Sequence, residues 1–399
     1  MEDLDSEDSL DSNEEKLLEM KDNKKPIIIF SKLNKYFLIP FLCPIFYMIS
    51  KFFENLIDEI NNNQHFFDII FNDLSYIYAG LFYFIPYFKV NFSKKNDASF
   101  SNSGIKYIYN EGIISKYNHF KIILLMISLS LFIVIENCLY IFVNTKKIFE
   151  IRIFLIFFIP LFSKIILKEN VYKHQYFSLI ISILGIIFLI IPVCLVLGTE
   201  EIIPNIIVFI SGIISSLFYV LIKYLVEKYY ISPLKISLII GILALILDCI
   251  ISIIYSLFIY NDLSFLKNAF DFSEEENKLK IGIYIIFYNL FQLLQQLFVF
   301  LALFYFSPTL LIITDIIAPF LSWIALGIKF NEYFKMPDVV LYPIGYIIVI
   351  FSSLIYNEII IFNFYGLNKD TKKFVNERLY DELKDIRKTR NTLLSDSSD

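Results

Sequence analysis

The chain has 399 residues, of which 57% are hydrophobic, 18% aromatic and only 19% charged, with a formal net charge of −5. A soluble protein of this length could not hide so much apolar surface, whereas a lipid bilayer can accept it. The mild acidity and the lack of any basic stripe argue against nucleic acid as a partner, so the composition predicts an all-α integral membrane protein.

Residues 1–34 begin with the acidic run MEDLDSEDSLDSNEEKLLEM and read as a disordered cytosolic tail, without the basic start and apolar core of a secretory signal. A helix needs about 20 apolar residues to cross a bilayer. Ten such segments follow, at 35–53, 68–89, 120–142, 149–167, 175–198, 203–224, 233–259, 281–305, 308–329 and 338–361, and they predict ten transmembrane helices. Asn72 and Asp73 interrupt the second. Lys32, Lys89, Lys116, Lys164, Lys223 and Lys235 cluster in alternate loops, which places those loops and both termini in the cytosol. Lys146 and Lys147 run against this bias, and the acidic loop Thr199–Ile203 agrees with it. The sequon Asn91-Phe92-Ser93 then faces the cytosol and should stay unglycosylated. The last segment, 363–399, is a cytosolic tail. Within it, 370–391 sets Val375, Leu379, Leu383 and Ile386 on one face of an amphipathic helix.

A duplication organises the membrane part. Pro160, Ser163, Ile165 and Leu167 recur at identical spacing as Pro319, Ser322, Ile324 and Leu326, 159 residues later. Each copy is followed by an acidic residue, Glu169 or Glu332, and then by an Ile-rich span holding one glycine, Gly185 or Gly345. The units are 35–198 and 199–362, five spans each. An odd number of spans inverts the second unit relative to the first, the arrangement on which many alternating-access transporters are built. Pro160 and Pro319 fall in the equivalent fourth spans, where each removes a backbone hydrogen bond. They serve either simple curvature or a paired hinge or gate.

These motifs, together with Ser307-Pro308, Asn331-Glu332, Leu354-Ile355-Tyr356-Asn357 and the stretch from Gly212 to Tyr219 followed by Ser232-Pro233-Leu234, give the chain its likeness to known transporters. Over about residues 120–362 it resembles the drug/metabolite transporter superfamily, in its solute carrier 35 and chloroquine-resistance-transporter-like branches. The resemblance implies two inverted five-helix repeats around a central solute cavity, with exchange or proton-coupled transport in an endomembrane. Spans one and two do not match the pattern clearly, and no nucleotide-sugar signature stands out.

Polar groups inside spans are costly and face a cavity or a partner. Glu136 and Asn137 lie in the third span, where Glu136 either pairs with Arg152 or serves a solute or proton. Asn289, Gln292 and Gln296 recur at steps of three and four, so one face of the eighth span is polar and should line the cavity. Asp315 in the ninth span suits proton coupling or a hydrogen bond to a neighbouring helix, and Asp248 in the seventh offers the same alternatives but lies near the outer half, within reach of water. Gly212 with Ser216, and Ser211 with Ser215, form a small-residue pattern that predicts close helix packing. The four cysteines are scattered and the three histidines isolated, and no phosphate loop or metal motif occurs, so neither an enzyme nor a cofactor is expected. The expected protein is a secondary transporter or exchanger of a small organic solute, monomeric or homodimeric, with protons as a coupling ion. The alternative is a membrane scaffold or channel-like protein without active transport.

Overall fold

In the computed structural model, the described residues are 28–30, 38–58, 65–85, 116–141, 155–169, 171–196, 202–229, 231–260, 278–306, 308–330, 338–363, 366–369, 371, 374, 375 and 378. Among them the chain forms ten helices. They are α1 (Leu38–Asp58), α2 (His65–Leu81), α3 (Lys116–Ile141), α4 (Leu155–Phe162), α5 (Lys173–Val196), α6 (Ile202–Tyr229), α7 (Pro233–Tyr260), α8 (Lys278–Tyr305), α9 (Pro308–Phe330) and α10 (Asp338–Tyr356). Each falls on one of the apolar segments. Two short strands, β1 (Ile28–Phe30) and β2 (Ile360–Phe362), flank the helical region. Six helices, α3 and α5 to α9, are long and apolar enough to cross a membrane, and α2, α4 and α10 carry shorter apolar stretches.

The helices are apolar on the outside and polar within. On α3, Phe120, Ile123, Leu124, Ile127, Leu131 and Ile135 are exposed at helical spacing, while Ser130 and Asn137 are buried. On α7, Ile242, Ile246, Ile250, Ile254 and Phe258 point outward and Asp248, Ser252 and Ser256 point inward. Water would invert this pattern. Only a hydrocarbon solvent makes an isoleucine-clad exterior stable around buried carboxylates and hydroxyls, so the chain is an integral, multi-pass membrane protein.

Two compact units make up the chain. The larger comprises 34–171 and 179–353. There α1 lies against α8 and α9, α2 against α7 and α8, α3 against α6 and α7, and α4 against α6 and α9. Stacked rings fill the α1–α8 contact, with Phe53 5.2 Å from Phe287 and Phe46 5.3 Å from Phe298. Glycines set two other contacts. A Cβ on Gly80 would sit 2.5 Å from the Leu238 backbone, and one on Gly241 would sit 2.9 Å from the Ile77 amide nitrogen, so α2 and α7 touch backbone to backbone. On α5 and α10, a Cβ at Gly185 would meet the Gly345 carbonyl at 3.0 Å, and one at Gly345 would meet the Gly185 carbonyl at 2.9 Å. Ser182 and Ser352 share a hydrogen bond at that second contact. Gly212 departs from its expected packing role: a Cβ there would meet nothing within 4 Å.

Helix α4 is short because it changes form. Pro160 lacks an amide donor, and three residues on, the helix widens into a π turn over Ser163–Leu167. Lys168 closes the turn in the left-handed conformation, at φ 59°.

The smaller unit comprises 1–33, 172–178 and 354–399. β1 pairs antiparallel with β2, Ile28 opposite Phe362 and Phe30 opposite Ile360, so residues 28–30 are ordered backbone rather than part of a disordered tail. Each is an Ile-Ile-Phe triplet, and β-branched and aromatic residues favour extended pairing. The tenth helix stops at Tyr356, short of its expected end at 361. Glu358 adopts φ 58°, its amide donates to the Ile355 carbonyl, and the Ile359 amide donates to the Leu354 carbonyl. That is the hydrogen-bond pattern of a Schellman stop, here with glutamate where glycine is usual. The Glu358 carboxylate lies 3.4 Å from His174 Nε2. The acidic run at the N-terminus, the sequon and most of the expected helix over 370–391 lie outside the described residues; Phe374, Val375 and Arg378 of that helix are helical.

Candidate functional site: a buried polar layer

Asn72 and Asp73 do not break α2. They turn inward, because a carboxylate or amide facing lipid would have no hydrogen-bond partner. The Asn72 side-chain amide donates to Asn137 Oδ1 at 3.1 Å. That bond fixes which way the Asn137 amide points, and its Nδ2 donates to Asp248 Oδ2 at 2.8 Å and to Asp73 Oδ1 at 3.2 Å. One amide from α3 thus joins a carboxylate from α2 to another from α7. Asp73 is 0% exposed and Asp248 3%. Asp73 Oδ2 is buried and accepts no hydrogen bond. Asp248 is therefore buried rather than wet as the sequence allows, because α2 and α3 cover it.

Glu136, beside Asn137, accepts hydrogen bonds from Ser215 Oγ at 2.9 Å and Ser211 Oγ at 3.2 Å. The small-residue pattern of α6 therefore serves that carboxylate, and Ser216 bonds back to its own helix at the Gly212 carbonyl. Arg152, the partner the sequence offers Glu136, lies outside the described residues.

Helix α8 adds its amides. Gln292 and Gln296 are buried, and Gln292 Oε1 accepts from Ser50 Oγ of α1 at 3.4 Å. Asn289 donates to the Ile285 carbonyl of its own helix at 2.8 Å. The Asn289 and Gln295 side-chain oxygens are buried and accept nothing. Two edge-to-face ring contacts, Phe71 with Tyr288 and Tyr76 with Phe300, register α2 against α8. They bracket Asp73 on one helix and Gln292 and Gln296 on the other, so these groups lie at one level. Helices α1, α2, α3, α6, α7 and α8 all contribute polar side chains to this layer.

Of the residues singled out by sequence, Glu136, Asn137, Gln292 and Gln296 belong to the layer, and Asn289 borders it. Asp315 sits on α9 with its side chain outside the described residues. Pro160 and Pro319 are buried in α4 and α9, which pack on each other. Sequence reasoning missed Ser50, Ser211 and Ser215 as site groups, and took Asn72 and Asp73 for an interruption. An ionisable residue inside an apolar run was the signal available for Asp73.

The charges in the layer are acidic: Asp73, Glu136 and Asp248. Lys223, a buried base elsewhere in the larger unit, donates to the Leu303 carbonyl at 3.0 Å and pairs with Glu227 at 3.4 Å. Chemically the arrangement offers acceptors and amides suited to hydrogen-bonding a neutral or cationic group, and it would repel an anion.

No protein-family model matches the chain, and no curated protein matches it. Among the solved structures similar to the chain is one described as the crystal structure of a protein, with a TM-score of 0.49 at 10% identity over 80% of this chain and 94% of that one.

Proposed function

We propose that this chain is a secondary transporter of a small neutral or cationic organic solute, working by alternating access in an endomembrane with both termini in the cytosol. The observation that carries the reading is the polar layer: acids and amides from four helices and hydroxyls from two more, held at one level inside an apolar, lipid-facing exterior. A protein whose only task is to hold its helices together in lipid has no need of two buried carboxylates and a third, half-buried one beside them.

The inverted repeat, with ten spans in two halves, is supported by the register of the glycine contacts. Gly80 and Gly241 are 161 positions apart; Gly80 meets Leu238, and Gly241 meets Ile77, again 161 positions apart. Gly185 and Gly345 are 160 apart; Gly185 meets Val349, and Gly345 meets Leu189, again 160 apart. Each half therefore contacts the other through the same residues, as a two-fold relation requires. In both pairs the chains run antiparallel, which is the sense an inverted copy needs. Pro160 and Pro319, 159 apart, extend the same correspondence to α4 and α9.

The test is a thermal-shift panel on the purified full chain in detergent, holding organic cations, neutral amino acids, short peptides, nucleotide sugars and sugar phosphates. A ligand that binds the folded state raises the melting temperature by mass action. Cationic or neutral compounds should raise it, phosphorylated ones should not, and Gln292→Ala should abolish the shift. A shift confined to nucleotide sugars would overturn the charge argument. No shift from any compound would favour a scaffold.

A further inference from the structure

We propose that Asp73 and Asp248 hold one exchangeable proton between them and form the coupling site of this transporter, an inference that rests on the transport reading above. Two carboxylates share one amide donor, with Asn137 Nδ2 on Asp248 Oδ2 and Asp73 Oδ1. Neither carboxylate makes an ion pair with a lysine or arginine among the described residues. Two like charges this close, in an interior that screens poorly, repel strongly, and one shared proton removes the repulsion. The oxygen it would occupy is Asp73 Oδ2, which is fully buried and accepts no hydrogen bond. The bound species is a proton rather than a metal cation because of the amide orientation. Asn137 turns its N–H groups to the carboxylates and its oxygen away, to Asn72. A metal ion would require the oxygen in their place.

Among the described residues, the other titratable groups near the pair are Glu136 and Cys138 on α3 and Cys249 on α7. Helix α8 brings Tyr288 against Phe71, and otherwise the uncharged amides of Gln292 and Gln296. Glu136 is held by Ser211 and Ser215 of α6. Taking a proton from water on one side moves the pair from two negative charges to one. Releasing it to water on the other side restores two. The amides of α8 lie at the same level, so a solute seated there would sense that change of charge.

The proton itself serves as probe, so no solute is needed. Infrared difference spectra of the purified full chain, recorded between acidic and alkaline pH, should contain the carbonyl band of a protonated carboxyl that disappears on titration. Asp73→Asn and Asp248→Asn should each shift the frequency of that band and the pH at which it disappears, since each removes one of the two carboxylates that share the proton while the other stays buried. Glu227→Gln, on the surface, should leave it in place. A wild-type spectrum without the band, or a band whose frequency and titration are unchanged in both aspartate variants, would overturn the proposal. Each variant is checked by its far-ultraviolet circular dichroism and melting, and the wild-type titration decides the matter even if a variant fails to fold. Because this readout involves no transport, a failed proton site leaves the solute panel standing, and a failed panel leaves the titration standing.

Discussion

Asn137 is the residue on which the site depends. It accepts from Asn72 and donates to two aspartates, so its loss would strand two buried carboxylates and a half-buried amide at once. A buried donor or acceptor left without a partner costs far more than the net worth of the bond itself. Asn137→Leu should therefore lower stability by roughly 3 kcal/mol, on the scale for breaking a buried polar network. Thermal unfolding in detergent measures it, and an unchanged melting point would mean the carboxylates find other partners. At the opposite extreme, Lys168 is exposed and held at φ 59°. Lys168→Gly should raise stability by about 1 kcal/mol, since only glycine adopts that region without a steric penalty. Glu358 has a similar φ, but Glu358→Gly should gain less, because it also removes the carboxylate beside His174.

At the scale of helices, glycines that look alike in sequence have opposite roles. Gly80 lies against the Leu238 backbone, which cannot swing aside as a side chain could. Gly80→Ala should push α2 and α7 apart and cost about 2 kcal/mol, the usual range for overpacking. Gly212 has open space around its Cβ position, so Gly212→Ala should be neutral or gain about 0.5 kcal/mol from helix propensity. Comparing the two melting points checks both claims. Equal effects would contradict the packing. A stripe of small residues cannot by itself report which glycine touches a neighbour, because the letter says only that contact is permitted.

For the molecule as a whole, ten spans with both termini on one side is a testable topology. Tags at the two ends of the protein in intact organelles should both react with antibody without permeabilisation of the organelle membrane. Tags accessible at one end only would require an odd number of spans.

Much of this protein is written in local chemistry. Solvent choice and helix placement follow from runs of Ile, Leu and Phe, because burying a backbone in lipid leaves the helix as the one structure that satisfies its hydrogen bonds within a single segment. The equal spacing of Pro160 with Pro319 and of Gly185 with Gly345 is likewise local information, and it is what suggests the proposed duplication. Glu136, Asn137, Gln292 and Gln296 were identifiable as candidate site residues because a polar group in an apolar run demands an inward-facing explanation. What the sequence could not disclose is who meets whom. Asp73 and Asp248 are 175 positions apart; their union through Asn137 exists only because α2 and α7 approach at their glycines. Ser211 and Ser215 of α6 look like packing residues in the sequence, and only the fold shows both donating to the Glu136 carboxylate. The pairing of Ile28–Phe30 with Ile360–Phe362, and the helix stop at Glu358, likewise depend on strands and caps that neither segment specifies alone. Composition decides the environment and the helices, since each residue answers to its solvent and its near neighbours. The site is decided by tertiary packing, because a carboxylate's partner is chosen by distance in space and not along the chain.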